Sequence, residues 1–221
     1  MRMRAGPLLP FAALALLGAA VSQSTTVSAL KDALRLATER AVATTSRTNG
    51  FLDDPEIRIR LPGKLDSVAK GLRAVGQGAK VDELEVAMNR AAEKAAGEAT
   101  PVFVDAIKQL NFEDAAGIVK GGDTAATEYF QAQTTDPLRA RFRPIVDQAM
   151  KGVGVTKTYD QLLAQYKAAV PFASAPKLDL NGYVTDLTLA GLFSVVGEEE
   201  KKIRSDPSAR ATDLLKQVFG R

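Results

Sequence analysis

The stretch "GFLDDPEIRIRLPGKL", residues 50–65, decides the fold class. Ile57-Arg58-Ile59-Arg60-Leu61 alternates strictly between apolar and basic side chains. Alternation with period two is the mark of an extended backbone, with the apolar residues on one face and the arginines on the other. Were other segments like it, the chain would be a mixed α/β protein. Everything around it instead follows the helical period, so the segment reads as one extended piece, near residues 55–61, in an all-α fold.

Upstream, Val27, Leu30, Leu34, Ala37 and Ala41 recur at helical spacing and predict a helix that ends before the Asn49-Gly50 turn signal. Downstream, a helix is expected from Pro62-Gly63 to Gly76, and another from about Lys80 to Gly97. Thr100-Pro101 reads as an N-cap followed by proline, and Asn111 as the cap of a short helix ending at Gly121-Gly122. Asp123 reads as the cap of "TAATEYFQAQ". Asp136-Pro137 reads as the start of a separate helix, with a kink or break near Phe142 caused by Pro144. "TYDQLLAQYKAAV" follows, capped near Thr156 or Thr158, then a loop over Pro171–Pro176. A long helix is expected over about Asp179–Ser205, with Tyr183, Leu187, Leu192, Phe193, Val196 and Ile203 as apolar anchors. Asp206-Pro207 starts a last one. The expectation is a single compact multi-helix domain of about nine or ten helices over residues 23–221, with no hairpin signal.

Residues 1–22 read differently. A basic start at Arg2 and Arg4 leads into an apolar run, Leu8 to Ala20, and then Ala20-Val21-Ser22, with Gly18-Ala19-Ala20 as an alternative cleavage pattern. This is the layout of a secretory signal peptide. It predicts a periplasmic or secreted protein starting near Gln23, with no stable membrane insertion after cleavage. The apolar run is short for a membrane span.

Composition narrows the chemistry. The chain has 221 residues, no Cys and no His. Disulfides and a lipidated cysteine are excluded, so an ordinary apolar core must hold the fold; roughly 200 residues suffice for one. The absence of His removes the commonest general base and the usual imidazole metal sites. This argues against an enzyme and calls for no metal or cofactor. The 29 basic and 26 acidic residues become 27 and 26 once residues 1–22 are set aside. So balanced a chain has no electrostatic footprint for nucleic acid.

Five stretches, "GFLDDPEIRIRLPGKL", "VDELEVAMNRAAEKA", "GIVKGGDTAATEYF", "FRPIVDQAM" and "YVTDLTLAGLFSVVGEEEKKIRSDPSARATDLLKQVFG", resemble in order and spacing the bacterial domain-of-unknown-function family 4197. The resemblance spans nearly the whole chain after residue 22. It implies exported proteins of Gram-negative bacteria, some of them lipoproteins, from which this chain departs by lacking the cysteine. It implies no activity.

The candidate site residues are Arg58, Arg60, Glu199 and Glu200. On alternate residues of an extended segment the two guanidinium groups lie about 6–7 Å apart, a spacing suited to a carboxylate or phosphate. The plainer alternative is a strap whose isoleucines lie across helices; a third is a free edge for a partner strand. In "GEEEKKIR", Glu198 faces Lys202 and Glu200 faces Arg204 at helical spacing, the pattern of a solvated face. Glu199 borders the apolar stripe, and a carboxylate there calls for an arginine. Arg58 and Arg60 are the candidates, so that at least one of them would pair with Glu199 or Glu200, clasping strap to C-terminal helix, or with another acid on a neighbouring helix.

Gly121-Gly122-Asp123-Thr124 reads as a helix stop and cap rather than an anion cradle, and Tyr129, Phe130, Tyr159, Tyr166 and Tyr183 as core before pocket. The expected function is binding of an unknown protein or small-molecule partner in the cell envelope. The alternative is a hydrolase-type enzyme with a carboxylate–arginine site acting on an envelope component.

Overall fold

Helical periodicity governs nearly every described segment of the chain. The computed structural model describes residues 22–169 and 178–220. Its helices are α1 (Gln23–Thr45), α2 (Asp66–Ala74), α3 (Gly78–Ala96), α4 (Ala99–Gln109), α5 (Ala115–Lys120), α6 (Ala125–Val153), α7 (Val155–Ala169), α8 (Leu180–Ser205) and α9 (Asp213–Phe219). Single 3₁₀ turns cover Gly63–Leu65 and Pro207–Ala209, and no strand occurs among the described residues. The proposed signal segment up to Val21 and the Pro171–Pro176 loop lie outside the described residues.

The centre of the fold is α8. Fourteen of its 26 residues are buried, on more than one face. A helix buried most of the way round belongs inside a domain rather than on its surface. It packs most extensively against α1 and α6, with α3 and α9 alongside. Phe103 of α4, Phe130 of α6 and Phe193 of α8 meet with ring centroids 5.3–5.7 Å apart. Edge-on and tilted pairs at that separation are favourable beyond their buried area. On the outer side of the core, α3 packs against α6 and α7, and α2 against α3 and α7.

Residues 125–153 form one helix where the sequence predicts two. Both Pro137 and Pro144 sit inside it, without a break at Phe142. Each interior proline costs about 3 kcal/mol. Against that, the buried row Phe130, Thr134, Leu138, Phe142, Val146 and Met150 continues in register across both prolines. Each large apolar side chain in the row gains about 1.5–3 kcal/mol on burial, so packing outweighs the local penalty. Asp136 consequently caps nothing and pairs loosely with Arg139 at 3.3 Å.

Other boundaries shift for local reasons. Thr100 and Pro101 lie inside the first turn of α4, where proline is tolerated because no helical donor is lost. Asp114, rather than Asn111, caps α5 by accepting from the Gly117 N–H. Gly154, at φ 81°, ends α6 and lets α7 begin at Val155, ahead of Thr156 and Thr158. Asp206-Pro207 opens only a 3₁₀ turn, and Thr212 caps α9.

The strap follows α1. Asn49 adopts a left-handed conformation (φ 68°) and Phe51 is fully buried. The Arg58 N–H donates to the Asp54 carbonyl, so residues 55–57 are turned and the open stretch starts at Arg58. The alternation persists: Ile57 and Ile59 are buried, Arg58 and Arg60 exposed. The strap crosses α8 at Gly191, where an added Cβ would stand 2.7 Å from the Phe51 ring and 3.2 Å from Ile57 Cβ.

Candidate functional site

The strap is held by one face of α3. Asn89 accepts from the Ile59 N–H at 2.9 Å and donates to the Ile59 carbonyl at 2.8 Å. It thereby acts as a neighbouring strand would, satisfying both backbone groups of a buried residue. One turn on, the Glu93 carboxylate accepts from the N–H groups of Phe51 and Leu52, both at 3.3 Å. Arg90 donates to Glu93 at 2.6 Å and to the Asn49 side-chain oxygen. Tyr183 of α8 completes the attachment by donating to the Arg60 carbonyl at 2.9 Å. Burial raises the phenol's pKa above its ordinary value, with the Glu85 charge adding to the effect.

The structure separates the four sequence candidates into two places. Arg58 pairs with Glu85 of α3 at 2.7 Å, in a partly exposed pair. Arg60 is exposed, and its guanidinium has no ion-pair partner among the described residues. Neither arginine pairs with Glu199 or Glu200, so the clasp between strap and C-terminal helix is corrected, while the other expected partner, an acid on a neighbouring helix, is the one Arg58 finds. The acid the strap needed sits on α3, which is the helix beneath it.

Glu199 and Glu200 are buried, not on a solvated face. Glu199 pairs with Lys202 at 2.6 Å and with Arg40 of α1 at 3.6 Å. Lys202 therefore turns to Glu199 and not to Glu198. Glu200 is fully buried and caps α6 from outside: one oxygen accepts from the Ala126 N–H at 3.0 Å, the other from the Thr127 N–H at 2.7 Å and the Thr127 hydroxyl at 2.6 Å. Arg204, one turn on, donates to Glu200 at 2.7 Å and to the carbonyls of Val119 and Ile118 at the end of α5. An anion thus stands at one helix N-terminus and a cation at another's C-terminus, each where the helix dipole favours it. Arg204 also lies over the Phe219 ring, 5.1 Å from its centroid.

Asp123 is correspondingly not the cap of α6; it is exposed, 3.7 Å from Lys201. Gly121 does stop α5. The sequence signal for Glu200 is its spacing to Arg204, which marks the pair. Nothing local reveals that the pair reaches α5 and α6. Asn89 and Glu93 are detectable only as polar residues at helical spacing within a small apolar stripe.

A recess lies between α4 and α6, a cleft of about 410 Å³ with Leu110 and Leu138 among its lining residues. Gln109, Asn111 and Gln133 supply three carboxamides, and Glu113 and Arg141 one charge of each sign. Tyr129 lines it as well; its ring stacks on Phe112 at 5.1 Å and its hydroxyl donates to the Asn111 carbonyl. A second recess on the α5 side shares Glu113, Tyr129 and Gln133. Of the expected aromatic residues, Tyr129 lines the cleft, and Phe130 and Tyr166 are core.

Groups with displaced pKa values do not converge on this cleft. Asp179 is held below the usual carboxylate range by the Gly182 N–H it caps and by Arg143. Asp206 is lowered by the Ser208 hydroxyl and N–H. Tyr159 is raised by burial and by Asp160. No cluster of acidic residues among the described residues has metal-site geometry, and no described helix is long and apolar enough to cross a membrane.

No curated protein and no solved structure matches the chain. A family model does, over residues 20–220, in agreement with the five stretches quoted above. The chain belongs to that family, described as protein of unknown function (DUF4197).

Proposed function

We propose that this protein is an exported, non-catalytic binding domain of the cell envelope, taking a small ligand or a partner's side chain in the cleft between α4 and α6. The observation that carries this reading is the state of its buried carboxylate–arginine pair. A carboxylate offers about four lone-pair positions, and Glu200 uses them on two backbone N–H groups, a hydroxyl and Arg204. Glu93 is similarly engaged by two backbone N–H groups and Arg90. Such groups hold helices and loops together, and Glu200 has no position left for a substrate. The open polar groups, by contrast, are the carboxamides of the cleft. A hydrolase reading needs a carboxylate free to take a proton in a recess; these pairs cannot supply it, and the acid that lines the cleft is Glu113.

Export is supported by the basic, apolar and small-residue order of the first 22 residues. Ser22 caps α1, its hydroxyl oxygen accepting from the Thr25 N–H at 3.1 Å. A cut after Ala20 would keep that cap, and a cut after Ser22 would remove it.

Two measurements test the reading. The intact mass of the protein recovered from the periplasmic fraction should match a start at Val21 or Gln23; a full-length cytoplasmic product would refute export. The purified protein incubated with soluble envelope fragments should return every bound species at unchanged mass. A bound species recovered as a hydrolysed product would make it an enzyme.

A further inference from the structure

The cleft between α4 and α6 is polar, with one acidic and one basic side chain in its lining. Arg141 is shared with Asp105 at 3.4 Å, and Glu113 is the opposing acid. Its recognition chemistry falls to Gln109, Asn111 and Gln133, each with a two-hydrogen donor and an oxygen acceptor. Pro137 adds a further acceptor. It has no N–H to give to the carbonyl four residues earlier, so the Gln133 carbonyl lacks its helical donor on the turn that lines the cleft. Tyr129 provides a ring fixed in position by Phe112 on one face and by the Asn111 carbonyl at its hydroxyl.

We propose that the cleft binds a neutral glycan. This rests on the reading of the cleft as a binding site and names its ligand class. A pyranose presents hydroxyls that donate and accept at once, which matches planar carboxamides. Its apolar C–H face matches a rigid aromatic ring with a polar tip. The balanced local charge favours a ligand without net charge. A peptide strand would need a row of free backbone donors and acceptors to pair with, whereas here one backbone carbonyl is freed. A volume of about 410 Å³ suits a short oligosaccharide, small-molecule sites running from roughly 300 to 1,000 Å³.

The test is calorimetric titration of the purified protein with chitotriose, maltotriose and cellotriose, and with tetra-alanine as the peptide probe. The expected result is saturable binding of at least one sugar. Gln133→Ala and Gln109→Ala, both exposed helical positions, should each weaken it about 3- to 10-fold, the worth of one lost hydrogen bond. Pro137→Ala returns an N–H to the Gln133 carbonyl. It should raise the melting temperature and still weaken binding, a combination that damage to the fold cannot produce. Sugar binding indifferent to all three variants overturns the site. Tetra-alanine binding that the variants weaken, with the sugars silent, overturns the glycan and leaves the binding cleft standing. Silence towards every probe overturns the glycan as well. Cleavage of a bound sugar at the cleft supports the glycan and overturns the non-catalytic reading.

Discussion

Glu200 and Arg204 stand 2.7 Å apart, one turn from each other on α8, and between them they close the facing ends of α5 and α6. Both are buried, with side-chain exposures of 0% and 9%. Removing either partner leaves the other as an uncompensated charge and strips orphan backbone groups of their cap. Glu200→Ala and Arg204→Ala should each cost about 3–5 kcal/mol, read from urea unfolding. A loss below about 1 kcal/mol, the level of an exposed pair, would show that the pair is not closed in solution.

Arg58 supplies the contrast. Its pair with Glu85 has similar geometry, but the arginine side chain is 39% exposed. Solvent screens such a pair and side-chain entropy opposes it, so Arg58→Ala should cost no more than about 1 kcal/mol. Melting curves of this variant beside Glu200→Ala check the ranking. Equal losses would mean that burial does not set the energetics here.

Asn89→Ala strands the N–H and the carbonyl of Ile59, which is fully buried. An unsatisfied buried group costs about 1–3 kcal/mol, and the stability loss should fall at or above that range because two are exposed at once. Hydrogen exchange gives the specific readout. The Ile59 amide should lose protection in the variant while the amides in the middle of α8 keep theirs relative to global unfolding.

Asp179 links stability to pH. Its folded-state pKa is depressed by the Gly182 N–H and Arg143. A depressed carboxylate stabilises the fold above its ordinary pKa, about 3.9, and that contribution is lost as pH falls through the lower folded value. Asp179→Asn keeps a capping oxygen but loses the charge. The stability gap between wild type and variant should therefore be present at pH 7 and shrink in acid, measured by denaturant unfolding at several pH values. A gap independent of pH would remove the electrostatic explanation.

Helix identity was legible because the apolar stripes of α1, α3 and α8 keep the period of 3.6 over many turns. The continuity of α6 was not, because Asp136-Pro137 and Pro144 are local stop signals while the row from Phe130 to Met150 acts through contacts with other helices. Burial of the isoleucines and exposure of the arginines followed from alternation alone. Their acid did not: Glu85 and Asn89 lie one turn apart on α3, and only the crossing of strap over helix brings them to it. Capping fails in the same way. Sequence reasoning looks for the cap of α6 among its preceding residues, and the cap arrives from Glu200, 73 residues from Thr127.

The central position of α8 has a consequence for the order in which the chain can close. The principal partner of both α1 and α6 is a helix that begins at Leu180. Until it is present, the Phe103–Phe130 pair lacks Phe193, the N-terminus of α6 lacks its carboxylate and Phe51 has no Gly191 to rest on. A chain growing from its N-terminus cannot seal its core by degrees, because the missing piece is near the end. The part of the core around α8 must wait, and it closes late, when that helix brings α1 and α6 together. That delay is the property a polypeptide needs if it is to pass through a narrow channel before it folds.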